Sequence, residues 1–363
     1  MARSEKHHWI SGLIIPFLIL PLWLASWCGA QTPNPLRDEV LRAGTLSEKQ
    51  KQRVGEWADY WSQKLNSGNT DPKSIMDARE KLLDPLRPVN PGLTNPTPAF
   101  RLEYTVTLLP TLEQLIAGDD PFTAINAIRV LQELGTDQSL RTLRNLLESP
   151  KQHLRQRAAL GCELGLRAAT SSPPLINLNE RGINATVRAL RAAAIHEKNH
   201  LVLRHLFTAI AAVNTPDAKA ELIRAMKAVV ERMAADPVAP NRHVEAIHVA
   251  TLRLRKTFIN FNFTVAQRRA LGTSLGPVLG DFLAVIRTHW DNSHQEIKDR
   301  KMYGAAIQAS ESLLRIIDTE ISGPGKAPQS RLRADWDASR KAPFQAGVDQ
   351  WNDKVQKAPY QKN

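Results

Sequence analysis

The chain has 363 residues, 42% of them hydrophobic, and its 48 Lys+Arg against 36 Asp+Glu give a formal net charge of +12. That content buries a sizeable core, which excludes a wholly disordered or fibrous chain, and a Leu- and Ala-rich composition with only 6% aromatics favours helices. Two cysteines, Cys28 and Cys162, exclude a disulfide framework and a Cys-based zinc finger.

Residues 1–30 read as a signal peptide. Arg3 and Lys6 lie in a charged leader, Gly12 to Trp27 carries no charge, and Cys28-Gly29-Ala30 supplies small residues for a cut after Ala30. Trp27 before the cysteine argues against lipid attachment at Cys28. The rival reading is an uncleaved signal anchor, since the 16-residue apolar run is slightly short of a bilayer span of roughly 20 residues. Cleavage removes Arg3 and Lys6 against Glu5 and leaves +11, with Cys162 as the remaining cysteine. The expected location is therefore secreted or periplasmic. In its apolar run Ala158 to Cys162, the thiol reads as a small buried hydrophobe.

A small helical N-terminal unit is expected over 31–86. Ser47 and Gln50 have capping-box spacing, and Val54, Trp57, Trp61 and Leu65 form a stripe at helical spacing. Asp71-Pro72 starts a second helix, with Ile75 and Leu82 on one face. The prolines at 85, 88, 91, 96 and 98 are too dense for a regular element, so 87–97 reads as a linker.

From 98 to 320 helical segments alternate with polar turns such as Gly118-Asp119-Asp120-Pro121 and Asn214-Thr215-Pro216-Asp217, and no segment alternates like a strand. Apolar stripes such as Phe122/Ile125/Ile128/Leu131/Leu134 and Val244/Ile247/Thr251/Leu254/Phe258/Phe261 need neighbours on more than one side. The fold class is all-α, with antiparallel helix pairs joined by the short turns.

Internal repetition is weak. Glu133-Leu134-Gly135 recurs as Glu163-Leu164-Gly165, and the corner at Thr136-Asp137 is echoed at Thr215-Pro216-Asp217. The runs Ala127-Ile128-Arg129-Val130-Leu131 to Leu134-Gly135 and Leu154-Arg155-Gln156-Arg157-Ala158-Ala159-Leu160-Gly161 resemble HEAT repeats of the short, bacterial kind. The resemblance is clearest over 122–169 and extends toward residue 235; beyond that, periodicity alone continues the array. With periodicity carrying the array onward, the expected architecture is a HEAT-like α-solenoid over 98–320, and the resemblance implies a curved protein-binding scaffold.

After Ser322-Gly323-Pro324-Gly325, residues 321–363 read as a flexible tail, in which Phe344, Val348, Trp351 and Val355 would make one face of an amphipathic helix over 343–357, packed on a partner or back on the solenoid, with disorder in the free protein as the alternative.

His196-Glu197-Lys198-Asn199-His200 satisfies H-E-x-x-H, the zinc peptidase spacing in which two histidines one helical turn apart hold the metal and the Glu activates water. The charged Lys198 and the absence of a well-placed third ligand count against it, and a helix ending near His196 with another starting near Asn199 would part the two histidines. Basic residues cluster at Arg253, Arg255 and Lys256, at Arg268 and Arg269, and at Lys298, Arg300 and Lys301. They suit acidic envelope polymers or anionic head groups, because export removes nucleic acid as a partner; solvated helix faces are the plainer account. Gly272, Gly276 and Gly280 are spaced as two G-x-x-x-G steps, but the flanking charges point to packing in a soluble body instead of a membrane. Asn184-Ala185-Thr186 and Asn262-Phe263-Thr264 match the glycosylation triplet.

The expected function is non-enzymatic: an exported helical-repeat scaffold binding an extracytoplasmic protein or envelope component, with no cofactor, no metal site and no catalytic residue assigned. The alternatives are a zinc metallopeptidase using His196, Glu197 and His200, and a polyanion-binding module acting through its basic helix faces.

Overall fold

The chain places a short polar side chain or a proline where most helices begin, and these local signals set their starts. In the computed structural model, which describes residues 32–66, 71–87, 95–172, 174–236, 240–260, 262–294, 296–357 and 359–360, helix is the only regular secondary structure among the described residues. The first helices are α1 (Asp38–Leu41), α2 (Glu48–Asn66) and α3 (Pro72–Leu83), followed by a 3-10 turn at Asp84–Leu86. Next come α4 (Pro98–Ala117), α5 (Pro121–Leu134), α6 (Asp137–Leu146), α7 (Gln152–Thr170), α8 (Glu180–His196) and α9 (His200–Ala212). The chain continues as α10 (Pro216–Ala235), α11 (Pro240–Ile259), α12 (Val265–Thr288), α13 (Trp290–Ser293), α14 (Ile297–Ser322), α15 (Leu332–Asp337) and α16 (Lys341–Val355).

Asp71, Asp120, Thr136, Asn179, Asn199, Thr215 and Thr264 each accept a backbone N–H of the first turn that would otherwise lack a partner. At the other end of α5, Gly135 adopts φ 66°, a left-handed stop that L side chains rarely take, and a Cβ there would sit 2.7 Å from Ile176. The recurrence of Glu-Leu-Gly is not a recurrence of this corner. Gly165 lies within α7, where a Cβ would meet Leu140 at 2.7 Å, so it serves the approach of α6 to α7. The echo at Thr136 and Thr215 does hold, since both residues cap a helix that follows a short corner.

The helices stack in two rows. One row runs α3, α5, α7, α9, α11, α14 and the other α2, α4, α6, α8, α10, α12, α16, each helix touching the next in its row. The rows face each other through α2 on α3, α4 on α5, α6 on α7, α8 on α9, α10 on α9 and α11, and α12 on α14. The apolar stripes form one continuous core between them, with Leu108, Leu131, Cys162, Leu206, Met226, Ile247, Leu279 and Leu313 all buried.

Two boundaries expected from the sequence differ in the structure. The N-terminal helices are not a separate unit: α2 and α3 pack directly on α4 and α5, Tyr104 donates its hydroxyl to the Leu82 carbonyl at 2.9 Å, and Thr97 reaches the Ala43 carbonyl at 2.7 Å. Most of the expected linker, 88–94, lies outside the described residues, as does the expected signal peptide. The expected flexible tail is also packed through its described part. Phe344, Val348, Trp351 and Val355 are fully buried, because α16 lies on α12 and α15 bridges α14 and α16. Trp290, Trp336 and Phe344 form an aromatic cluster with centroids 4.9–5.6 Å apart, and Trp351 donates to Ser330 Oγ at 3.0 Å.

The tail also explains the glycine ladder of α12. A Cβ at Gly276 would lie 2.8 Å from the Tyr360 ring, and one at Gly280 would lie 2.7 Å from both Asn352 and Val355. Gly272 is similarly close to Ile317 and Ile321 of α14. Helix α12 is long and apolar enough to cross a membrane, yet it is largely buried among α10, α14 and α16, and the small residues allow that approach.

Candidate anion-binding face

The H-E-x-x-H residues meet at a corner. His196 ends α8, Glu197 is its C-cap, Asn199 caps α9 and His200 is the first residue of α9, so the two histidines belong to different helices. Glu197 is buried and doubly held by Arg155, Nε to Oε2 at 2.7 Å and Nη2 to Oε1 at 3.0 Å, while the Asn199 amide donates to Oε1 at 2.8 Å. Burial works to raise the Glu197 carboxyl, but these bonds and the Arg155 charge outweigh it and hold the group below the usual carboxylate range. Arg232 from α10 donates to the Ile195 and Glu197 carbonyls, so one arginine on each side binds the corner. No group of three or more His, Cys, Asp or Glu side chains is gathered for a metal among the described residues.

Cys162 is fully buried, and burial pushes its thiol up to about 12, so the protonated form prevails at neutral pH. Of the glycosylation triplets, Asn184 lies within α8, with Thr186 buried against Arg144, while Thr264 is the cap of α12.

The basic clusters separate into tied and untied groups. Arg268 pairs with Glu320 and donates to the Phe263 carbonyl, Arg269 donates to the Glu320 carbonyl, and Arg300 donates to the Asp337 carbonyl. Arg253, Arg255 and Lys256 have no side-chain hydrogen bond or ion pair among the described residues, and the same holds for Arg129 on α5 and Arg157 on α7. The adjacent helices α7, α9 and α11 carry eight Arg or Lys side chains against two glutamates, Glu163 and Glu245. Both glutamates are engaged, Glu163 with Arg167 and Glu245 with Arg204. Positive charge therefore remains uncompensated along this face. Burial lowers Arg129, with Arg157 and Arg79 as repulsive neighbours, and burial with Arg204 and Arg157 holds the His205 imidazole below its ordinary range.

At the C-terminal ends of α7, α9 and α11 the face opens into a cavity of about 340 Å³, lined among others by Arg167, Thr208, Lys219, Arg253, Lys256 and Thr257. Lys219 is 3% exposed and donates to the Ala211 carbonyl at 2.7 Å. Burial, then the nearby Arg253 charge, lowers its ammonium to about 8. The sequence alone singled out Arg253 and Lys256 but not Lys219 or Arg167, which come from other helices and carry no local motif.

The fold places this chain among all-α proteins built from many packed helices. No family model matches it, and no curated protein does. Among solved structures, a crystal structure described as an engineered protein from the Northeast Structural Genomics Consortium is similar at a TM-score of 0.36 and 14% identity, covering 70% of this chain and 97% of that one.

Proposed function

We propose that the chain is a non-enzymatic helical-repeat scaffold, a HEAT-like α-solenoid, that binds an acidic extracytoplasmic protein or envelope polymer on the face of α5, α7, α9 and α11. The row-on-row order of the helices supports the repeat architecture, since each helix packs on its neighbours in the stack and leaves one long surface on each side. The excess of unpaired arginine along α7, α9 and α11 carries the choice of an acidic partner: like charges held side by side, only partly offset by Glu80 near Arg129 and Glu163 near Arg253, are relieved by a bound anion. The charged leader and apolar run before Ala30 support export, and with it a partner outside the cytoplasm.

Cross-linking in intact cells tests this reading. A partner captured by the wild-type chain should be lost when Arg129 and Arg157 are both changed to Glu, with helical circular dichroism unchanged, and its binding in vitro should weaken as salt rises. An unchanged partner in the charge-reversed variant would refute the face.

A further inference from the structure

We infer that the cavity between the C-terminal ends of α7, α9 and α11 is a binding site for a phosphoryl group, either free phosphate or a small phosphomonoester. The inference deepens the reading above and rests on the same excess of positive charge. Four cations from three helices converge there: Arg167 of α7, Lys219 of α10, and Arg253 and Lys256 of α11. Helix ends offer a plainer reason for them, because each C-terminus presents about half a negative charge. Three ends supply about one and a half negative charges, and Glu163, bound to Arg167, adds one more. Four cations exceed that, so the cavity stays positive after the helix ends are accounted for.

Burial of Lys219 makes this more than a solvated basic patch. A lysine almost removed from water spends one of its three N–H bonds on the Ala211 carbonyl, and no other acceptor is bonded to it among the described residues. An ammonium held this way beside Arg253 lacks a counter-ion of its own. The neighbouring donors fit a tetrahedral oxyanion better than a carboxylate. Two guanidinium forks, two ammonium groups, the Thr257 hydroxyl and the Asn214 and Asn260 amides ring the space, more donors than two oxygens on one edge can accept, while the Thr208 hydroxyl is spent on the Arg204 carbonyl. A phosphoryl group offers three terminal oxygens and about two negative charges, and guanidinium binds it in two-point fashion.

Calorimetric titration of the folded full chain at constant ionic strength in chloride provides the test, with inorganic phosphate, glycerol phosphate and acetate as probes. Saturable binding of phosphate, weakened about tenfold in Arg253→Gln and in Lys256→Gln, is the expected result, with circular dichroism confirming that each variant folds. Comparable binding of both phosphates assigns the site to the free phosphoryl group, while binding of glycerol phosphate alone assigns it to an ester-borne one. Three outcomes overturn the proposal: no saturable heat from either phosphate, acetate binding as well as phosphate, or phosphate binding untouched by both variants. Because the probe is a small ion and the macromolecular partner is tested at Arg129 and Arg157, the two readings fail separately.

Discussion

Arg155 and Glu197, 42 residues apart in sequence, form a two-point ion pair that fastens the α8–α9 corner to the start of α7. Both side chains are largely withdrawn from solvent, so removing one leaves the other without its counter-charge. Glu197→Gln should cost about 3 to 5 kcal/mol. The acid dependence has a definite sign: the carboxyl lies lower in the folded chain than unfolded, so its stabilisation is present above the ordinary carboxylate pKa and fades as pH falls through the folded value. Denaturant titration of both proteins should show their difference shrinking toward acid; a constant difference would assign the cost to packing.

Lys219 has the opposite consequence. Its folded pKa, about 8, lies below the ordinary lysine value of 10.5, so the unfolded chain binds more protons between those limits. Stability from this group alone rises with pH over that window, because its burial penalty applies in full below about 8 and vanishes once both states are neutral. Relative to Lys219→Met, the wild-type chain should gain stability between pH 7.5 and 9.5, at about 1.4 kcal/mol per pKa unit at most. The comparison cancels the titratable groups common to both proteins. Parallel stability curves would refute the depressed ammonium.

Leu131 is fully enclosed between the rows, on α5. Its truncation in Leu131→Ala should cost about 2 to 5 kcal/mol, read as a lower denaturation midpoint with unchanged m-value. A loss below about 0.5 kcal/mol, the size of a surface substitution, would place that stripe outside the core.

Gly280→Ala should loosen the C-terminal helix. The new Cβ would stand 2.7 Å from Asn352 and Val355, and overpacking of this kind costs about 1 to 3 kcal/mol. Limited proteolysis should cut the variant near Gly323–Gly325, between α14 and α15, faster than the wild type. Gly44→Ala, where a Cβ meets nothing within 4 Å, serves as the neutral control. Equal cleavage of the Gly280 variant and wild type would argue that α16 is not held through α12.

Much of the helical layout was legible because its signals are local. Asp71-Pro72 marked a helix start that the structure caps with the same Asp71 side chain, and the Val54/Trp57/Leu65 stripe is buried as its spacing implied. The parting of His196 from His200 was legible too, since the sequence ends one helix near His196 and starts another near Asn199, and Asn199 caps α9 in the structure. The placement of the tail was not legible for a physical reason. Its polar composition and glycine-rich joint describe a free segment, and only the groove along Gly276 and Gly280, together with Trp290 and Tyr303, supplies the surface that buries Trp336, Phe344 and Trp351.

Sequence by itself determined the all-α class, most helix starts and the basic balance, because caps, periodicity and charge act within a turn or two of chain. Tertiary structure alone decided which of those charges remain free. Arg268 finds Glu320 52 residues away, whereas Arg253 finds no partner and joins Arg167 and Lys219 at one cavity. That division depends on how rows of helices stack, and packing between segments separated by tens of residues leaves no periodic trace in any one of them.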